Sequence, residues 1–461
     1  MRDAQGLEVS TDNPETVAAI DLFRDEFLGY GNRILEILEA PKSDPGCALV
    51  NAQAACLYMF FETGESPDLA RPNIEAAKAT ASSATPREQA YVAAIDAWVS
   101  GDVERAIAGH YDIAERWPRD VFAMKLCQYH HFNLGQVKGM LRIVEAVLEA
   151  NAENHFVHGC HTFALEQNHR LAEAEAAGRR AVGMTRQDPW AHHAVAHVMD
   201  TQGRLDEGIA WLEAHADTWE DCNSFMLSHN WWHLALFHLD RDDPAKALDL
   251  YDRRIWGVDK SYSQDQVGAA SMLWRLELRG ADVGDRWADV ADHVADRTRE
   301  HVQPFLDIQY LYALARAGRT EAVSEMLESM ATHAGAAAPP RRPMLNQVAL
   351  PLARGFAAAA AGNHRGAYRQ LEPAVPRLQE IGGSHAQRDL FQQAWIDVLV
   401  KGGESAQAAD LLRRRAAARK IVPATFRDLA EALDTIGDGA GAAEARAYAE
   451  DLGRRYAGES L

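Results

Sequence analysis

Histidines at helical spacing are the part of this sequence that most clearly suggests chemistry. The stretch WAHHAVAHVMDTQGRLDEG, residues 190–208, places His193 and His197 four residues apart, with His192 beside them. Imidazoles at positions i and i+4 share one helix face, where they can bind a divalent metal or exchange protons. The pair lacks the internal glutamate of a zincin motif, so it does not predict that class of metalloprotease.

A second pair follows in the segment HNWWH, which contains His229 and His233. The candidate catalytic groups are His193, His197, His229 and His233, with Asp389 as a carboxylate partner. The competing interpretations are hydrogen-bonded core histidines and a recognition surface. We expect no metal and no cofactor. A His-bound divalent metal, with a third ligand from the second pair or from Asp200, is the alternative.

The elements that position these residues follow a 34-residue period. Turn-like segments begin at Gly101, Gly135, His169 and Gly203, each 34 residues after the one before. This is the tetratricopeptide period, in which two antiparallel helices form a unit that buries its apolar faces only by stacking on its neighbours. Weaker turn segments of the same type begin at Asp242, Gly318, Gly362 and Gly402.

The chain is therefore predicted to be all-α, a tetratricopeptide-like helical-repeat superhelix forming a single domain over residues 1–461. A break into two domains near residue 340 is the alternative. Divergent opening helices are expected over 15–80. The clearest repeats are expected over 85–255 and degenerate repeats over 265–455. An interrupted apolar stretch at 348–362 is interpreted as an alanine-rich helix of a soluble protein.

The repeat register predicts which side chains face the groove. If the first helix of each unit lines the concave surface, then Trp190, His193, His197 and Asp200 form one inner stripe, whereas His192 points elsewhere. The next unit places His229 and Trp232 on that surface and Trp231 in the core. The predicted ligand-binding residues are Trp190, His193, His197, His229, Asn230, Trp232, Arg275, Gln387 and Arg388.

Two arginines add a possible anion site. Arg275 and Arg388 could hold a carboxylate or phosphate in bidentate fashion, or could form ion pairs between helices. The segment Gly382–Ser384 breaks a helix. Its backbone N–H groups could bind an anion at the next helix, or Ser384 could simply cap that helix.

Several segments resemble the tetratricopeptide repeat protein 38 family. They are Trp190–His197 (W-x-x-H-x-V-A-H), His229–His233, Gly382–Asp389 (G-G-S-x-A-Q-R-D), Ser271–Leu276 and Thr85–Gln89. The resemblance runs in order over roughly residues 15–400, without departure at the His, Asn, Trp or Arg positions of these motifs. It implies an all-α repeat protein and carries no defined activity.

The composition of the chain excludes some classes of binding partner. The net charge is −20, from 67 acidic and 47 basic residues, which argues against nucleic acid and anionic membranes. Five cysteines without a C-x-x-C pair predict reduced thiols. The polar N-terminus has no apolar core of a signal peptide, so a cytoplasmic location is expected, with oligomerisation possible.

Two functions remain open on this evidence. The first is a binding protein whose concave His/Trp-rich groove holds a small ligand or a peptide. The second is an enzyme that uses the histidine cluster, in acid–base or metal-assisted chemistry, in an enclosed pocket. Proximity discriminates between them, because the enzyme requires the segment at 382–389 to lie beside the histidines.

Overall fold

A computed structural model describes residues 1–458 of the chain. Within that range the structure is helical, and the only β-structure is two isolated bridges. The prediction of an all-α, tetratricopeptide-like helical-repeat fold is confirmed. No helix in the described part of the chain is both long and apolar enough to cross a membrane.

The chain forms two compact units. Unit 1 contains Met1–Val195 and His215–Leu227, and unit 2 contains Ala196–Ala214 and Ser228–Leu461. The boundary falls within two helices, Pro189–Gln202 and Ser224–Asp240, so each of them contributes residues to both units. A single domain remains a prediction.

Unit 1 is built from consecutive helices joined by short turns. They are α1 (Pro14–Gly29), α2 (Ala40–Ser43), α3 (Ala48–Met59), α4 (Ser66–Thr80), α5 (Pro86–Val99), α6 (Val103–Arg116), α7 (Val121–Asn133), α8 (Val137–Leu148), α9 (His155–Gln167), α10 (Leu171–Met184) and the first half of α11 (Pro189–Gln202).

The 34-residue period has a backbone cause. Gly101, Gly135, His169 and Gly203 all adopt left-handed backbone conformations, with φ of 80°, 65°, 58° and 72°. A left-handed residue ends one helix and lets the chain reverse into the next, and glycine adopts this conformation without steric cost. The predicted joints therefore lie where the helices end, and the second helices of these units begin at 103, 137, 171 and 205.

Side-chain caps define where some of the helices begin. Thr85 and Glu88 form a capping box at the start of α5, in which each side chain bonds the backbone N–H of the other residue.

Small residues let the paired helices approach each other closely. Gly178 of α10 packs so closely that an added Cβ would lie 2.3 Å from the Val195 side chain.

Unit 2 continues the pattern with the second half of α11 and with α12 (Leu205–Glu213), α13 (Ser224–Asp240), α14 (Pro244–Leu250), α15 (Ser263–Leu278), α16 (Arg286–Val294), α17 (Pro304–Arg316), α18 (Thr320–Ala336), α19 (Arg342–Met344), α20 (Leu350–Ala360), α21 (His364–Leu371), α22 (His385–Gly402), α23 (Ser405–Ala418), α24 (Pro423–Thr435) and α25 (Gly439–Tyr456).

The degenerate joints of unit 2 are also left-handed. Asp242, Gly318, Gly362 and Gly403 have φ of 68°, 71°, 77° and 89°, so the predicted turn at Gly402 is centred one residue later. Two further left-handed joints, at Gly280 and Gly437, were not predicted. No turn motif of the 34-residue type surrounds Gly280, whereas Gly437 lies 34 residues after Gly403 and begins the same G-D-x-x-x-A pattern as Gly101.

The five cysteines are free thiols, and four of them are buried. Cys47, Cys56, Cys127 and Cys160 are buried, whereas Cys222 is half-buried. Burial raises the pKa of Cys47 to about 11 and that of Cys127 to about 12, so these thiols are poor nucleophiles.

Candidate functional site

The predicted site residues are divided between the two units. Trp190 and His193 belong to unit 1. The other residues belong to unit 2: His197, His229, Asn230, Trp232, His233, Arg275, Gln387, Arg388 and Asp389. Most of them are buried, including His193 at 2%, His197 at 1% and Asn230 at 0% exposure.

In unit 1, Trp190 is part of an aromatic cluster. Its ring centroid lies 5.3 Å from that of Tyr30, 4.9 Å from Phe163 and 4.5 Å from His193. The ammonium group of the buried Lys125 sits 4.0 Å from the Trp190 ring centroid. A desolvated cation over tryptophan is a strong cation–π contact, so this cluster encloses a cation that the protein itself supplies.

His192 of α11 has the structural role expected of a core histidine. It is fully buried in unit 1 and accepts a hydrogen bond on Nδ1 from the Trp219 indole at 3.2 Å. Its ring also stacks on His215, with the centroids 4.1 Å apart. Burial lowers the pKa of His192 to about 3, so it stays neutral at neutral pH.

In unit 2, three of the four predicted imidazoles form a cluster. The ring centroid of His233 lies 4.5 Å from that of His197 and 4.8 Å from that of His229. His229 and His233 are one helical turn apart on α13, as predicted, and His197 comes from α11. His229 also stacks on Trp232, with the ring planes 8° apart.

These imidazoles are neutral. Burial lowers the pKa of His229 to about 3, and it lowers the pKa of His197 and His233 well below the usual range. Like-charge interactions among them add to that effect, and His385 contributes to it at His197. The segment at 382–389 is therefore close enough to the cluster for its histidine to influence His197.

Trp232 connects the imidazoles to α15. It is buried, and its indole Nε1–H donates a 2.8 Å hydrogen bond to Ser271 of α15. The Arg275 guanidinium lies over the same ring, 5.5 Å from the centroid. Trp231, which the register places in the core, is half-buried instead and lies under Arg254.

Arg275 is the least compensated charge in this region. It is 4% exposed, and its Nη2 donates to the Ala386 carbonyl at 2.6 Å. Its nearest carboxylate oxygen, on Asp389, is 3.8 Å away, and its Nε–H has no partner among the described residues. Burial lowers the pKa of Arg275 to about 10, although Asp389 opposes that effect.

Asp389 does not serve as a histidine partner. Its carboxylate is held by both Nη groups of Arg415, one of them at 2.8 Å, and it accepts from Gln393 at 2.6 Å. Burial alone would raise the pKa of Asp389, but Arg415 outweighs it and holds the pKa well below the usual range. The predicted acid–base pairing of Asp389 with an imidazole is replaced by an ion pair with arginine.

Arg388 and Gln387 are also used internally. The Arg388 guanidinium donates to the carbonyls of Gly382 and Gly383, and so fixes the turn before α22. Gln387 forms a capping box with Ser384, with bonds of 2.8 and 3.2 Å. Of the alternatives for Gly382–Ser384, the simple N-cap is the one observed.

The sequence analysis missed most of an ion-pair cluster that surrounds Arg275. Arg419 donates to Asp200 at 2.8 Å and to Asp240 at 2.5 Å, and Arg279 lies 3.6 Å from Asp240. The carboxylates of Asp200 and Asp240 outweigh burial and raise the pKa of Arg419. Because Asp200 and Arg419 are 219 residues apart, no local motif could have joined them.

A cavity of about 20 Å³ lies within this cluster. Its walls include Asp200, Asp240, Arg275, Asp389 and Arg419. Such a volume holds about one water molecule or one ligand oxygen. Arg275, whose Nε–H has no partner among the described residues, thus lines a small polar space, and its guanidinium lies over Trp232.

No protein-family profile matches the chain. Among solved structures, a human IFIT1 dimer with m7Gppp-AAAA is similar over 98% of each chain, at 13% identity and a TM-score of 0.43. The P58(IPK) TPR domain is similar over 81% of this chain and 96% of its own, at 11% identity and a TM-score of 0.23. The structure of Naa15/Naa10 bound to HypK-THB is similar over 80% of this chain and 64% of its own, at 11% identity and a TM-score of 0.24. With TM-scores below 0.5, none of these likenesses assigns a ligand to this chain.

Proposed function

We propose that this protein binds a small ligand through an anionic group, a carboxylate or a phosphate, that is held by Arg275 in the unit 2 cavity. One observation carries the proposal: the buried Arg275 guanidinium has a free Nε–H donor, and its nearest carboxylate is already engaged by Arg415. A buried donor without a partner costs on the order of 1–3 kcal/mol, more when it is charged, so a ligand oxygen there is stabilising.

The size of the cavity favours a small ligand over a peptide. A space of about 20 Å³ accommodates one polar group, with the rest of the ligand displacing side chains around it. Trp232 and the neutral imidazoles of His197, His229 and His233 would supply the neighbouring apolar and hydrogen-bonding contacts. A peptide in a concave groove is the alternative occupant.

The histidines support binding more than catalysis. A general base works best with a pKa near the operating pH, and an imidazole with a pKa of about 3, as at His229, is a weak base. The neutral rings are well suited to accept or donate hydrogen bonds. The enzyme interpretation has one supporting observation, the influence of His385 on His197, which brings the segment at 382–389 beside the histidine cluster.

The net charge of the chain also bears on which partners it can bind. The human IFIT1 dimer structure contains m7Gppp-AAAA, whereas this chain has a net charge of −20. Clustered lysines and arginines on an exposed face are what phosphate backbones require. We propose that the protein binds neither nucleic acid nor membranes, needs no cofactor, and is located in the cytoplasm.

We also propose membership of the tetratricopeptide repeat protein 38 family, on the motifs at 190–197, 229–233 and 382–389.

A thermal-shift titration tests the proposal. Acetate, succinate and inorganic phosphate are added separately to the parent protein and to Arg275→Lys, which keeps a charge but loses the planar fork. We expect at least one anion to raise the melting temperature of the parent and to have little effect on Arg275→Lys. The matched control is Arg253→Gln, an arginine with a 74% exposed side chain in the same unit. Equal responses of all three proteins would overturn the proposal.

A further inference from the structure

A second polar cluster in unit 2 shares no residue with the arginine cluster. The Oγ atom of Ser329 lies 2.7 Å from Nε2 of His301, and Nδ1 of the same ring lies 3.3 Å from Oδ2 of Asp307. This is the serine–histidine–aspartate order in which an imidazole bridges a hydroxyl and a carboxylate. The spacing of residues 301, 307 and 329 gives no recognisable sequence motif, so the sequence analysis did not identify it.

Three elements position this cluster. Ser329 lies in the middle of α18, and Asp307 lies in the first turn of α17. His301 is in the short segment before α17 and has a left-handed backbone with φ of 49°. Left-handed non-glycine residues are uncommon and concentrate at functional sites, because the surrounding structure must maintain them.

The histidine and the aspartate of this cluster are more deeply buried than the serine. His301 is 7% exposed and Asp307 is 4% exposed, whereas Ser329 is half-buried. The histidine and the carboxylate are therefore shielded from water, while the hydroxyl remains within reach of a small molecule. With Nδ1–H donating to Asp307, the Nε2 of His301 is left as an acceptor for the Ser329 hydroxyl.

A second histidine packs beside His301, and an arginine lies in its neighbourhood. His333 is one helical turn after Ser329 on α18, with its ring centroid 5.3 Å from that of His301. Arg341 is near enough to contribute, after burial and His301, to the lowered pKa of His333. No carboxylate forms an ion pair with Arg341 within residues 1–458, and its Nε–H has no partner there. The bond from Asn346 to the Ala334 carbonyl fastens the following segment to α18.

We propose that Ser329 is a nucleophile that hydrolyses small carboxylic esters, with His301 as its base and Asp307 as a positioning residue. The Ser329 oxygen attacks the ester carbonyl carbon while its proton moves to Nε2 of His301. The ester C–O bond breaks as that proton passes to the departing alcohol, which leaves an acyl-serine. Water then attacks the acyl carbon, gives its proton to His301, and releases the carboxylic acid as the serine recovers its proton.

Within this proposal, stabilisation of the oxyanion falls to Arg341. The N–H groups around Ser329 are used by α18 itself, so they are not available to stabilise the oxyanion. A guanidinium without an anionic partner can stabilise that developing charge.

Covalent labelling tests the proposal on the full-length protein. A fluorophosphonate probe is incubated with the parent and with Ser329→Ala, His301→Gln and Ser324→Ala, and the modified peptide is identified by mass spectrometry. We expect labelling of Ser329 in the parent and in Ser324→Ala, whose substituted serine is exposed on the same helix. Ser329→Ala should not label, and His301→Gln should label about 10²–10⁴-fold more slowly.

A second readout separates chemistry from folding. Helical circular dichroism verifies that each variant is folded, and p-nitrophenyl acetate reports ester cleavage. Asp307→Asn should leave the serine in place but slow labelling at neutral pH, because the amide no longer fixes the His301 tautomer. Folded parent protein that neither labels at Ser329 nor cleaves the ester would overturn the proposal. So would unchanged rates in folded Ser329→Ala.

Discussion

Buried histidines set the protonation behaviour of this protein at the level of single residues. An imidazole that is removed from water loses the hydration of its charged form, so its pKa falls and it remains neutral at neutral pH. In unit 2 this applies to His197, His229 and His233. In unit 1 it applies to His110, whose ring nitrogens lack a partner among residues 1–458.

His110 allows a clean test of this effect. Burial lowers its pKa to about 4, against 6.5 in a model peptide, with the charge of Asp120 opposing. Between those values the unfolded chain binds more protons than the folded chain, so stability falls as the pH drops below 6.5. For His110→Phe, we expect the unfolding free energy relative to the parent to shift by about 2 kcal/mol in the variant's favour between pH 7 and pH 5.

Urea denaturation at the two pH values measures this difference. The buried histidines that do not contact His110 respond equally in both proteins and cancel in the comparison. His130, whose ring centroid lies 5.6 Å from that of His110, loses a like-charge neighbour in the variant. A difference between variant and parent that does not change with pH would show that His110 titrates normally in the folded protein.

The spacing of the histidine pairs could be predicted from the sequence, whereas the ion-pair partner of Asp389 could not. The i, i+4 pairs on α11 and α13 follow from helix geometry alone, and His229 and His233 do share a face. The partner of Asp389 could not be predicted, because Arg415 comes from another helix. A choice between two plausible counter-charges depends on packing that local periodicity does not encode.

At the scale of the helices, close approach depends on glycines at particular positions. Gly208 of α12 faces Phe237 of α13, and a Cβ at Gly208 would lie 2.3 Å from the Phe237 ring. Gly268 of α15 has no atom within 4 Å of such a Cβ. Gly208 and Gly268 therefore have opposite tolerances for a methyl group.

Alanine substitutions at these two positions should change stability in opposite directions. Gly208→Ala should destabilise by about 1–3 kcal/mol, because the ring cannot move away without disturbing α13. Gly268→Ala should stabilise by about 0.5–1 kcal/mol, because alanine favours the helix and meets no obstacle. Chemical denaturation of both variants checks the prediction, and equal effects of the same sign would contradict the packing of α12 on α13.

The helix joints were the most predictable part of the fold. Left-handed turns at Gly101, Gly135 and Gly203 are encoded locally, because glycine marks them at a constant interval. Gly280 forms the same kind of turn, but the segment around it has lost the repeat signature, so the backbone geometry of that joint is present without the sequence pattern that would reveal it.

For the molecule as a whole, the long-range ion pairs of unit 2 join distant parts of the sequence. Arg419 contacts both Asp200 and Asp240. The side chains of all three are at most 17% exposed, so Arg419 compensates two largely buried carboxylates. Arg427 and Asp242 form a comparable long-range pair whose arginine side chain is 47% exposed.

Removing one guanidinium should distinguish the two cases. Arg419→Met should cost about 3–5 kcal/mol, because two buried carboxylates lose their counter-charge. Arg427→Gln should cost about 0–1 kcal/mol, because water and salt screen an exposed pair. Urea denaturation gives both values. A small effect at Arg419 would mean that Asp200 and Asp240 find other compensation.

A crystal structure of the protein with the most stabilising anion from the thermal-shift titration would show directly whether Arg275 binds that anion. We expect electron density for a carboxylate or phosphate within hydrogen-bond distance of Nε of Arg275, in the cavity lined by Asp200, Asp240 and Arg419. A lone water molecule at that position, with the anion bound elsewhere, would contradict it.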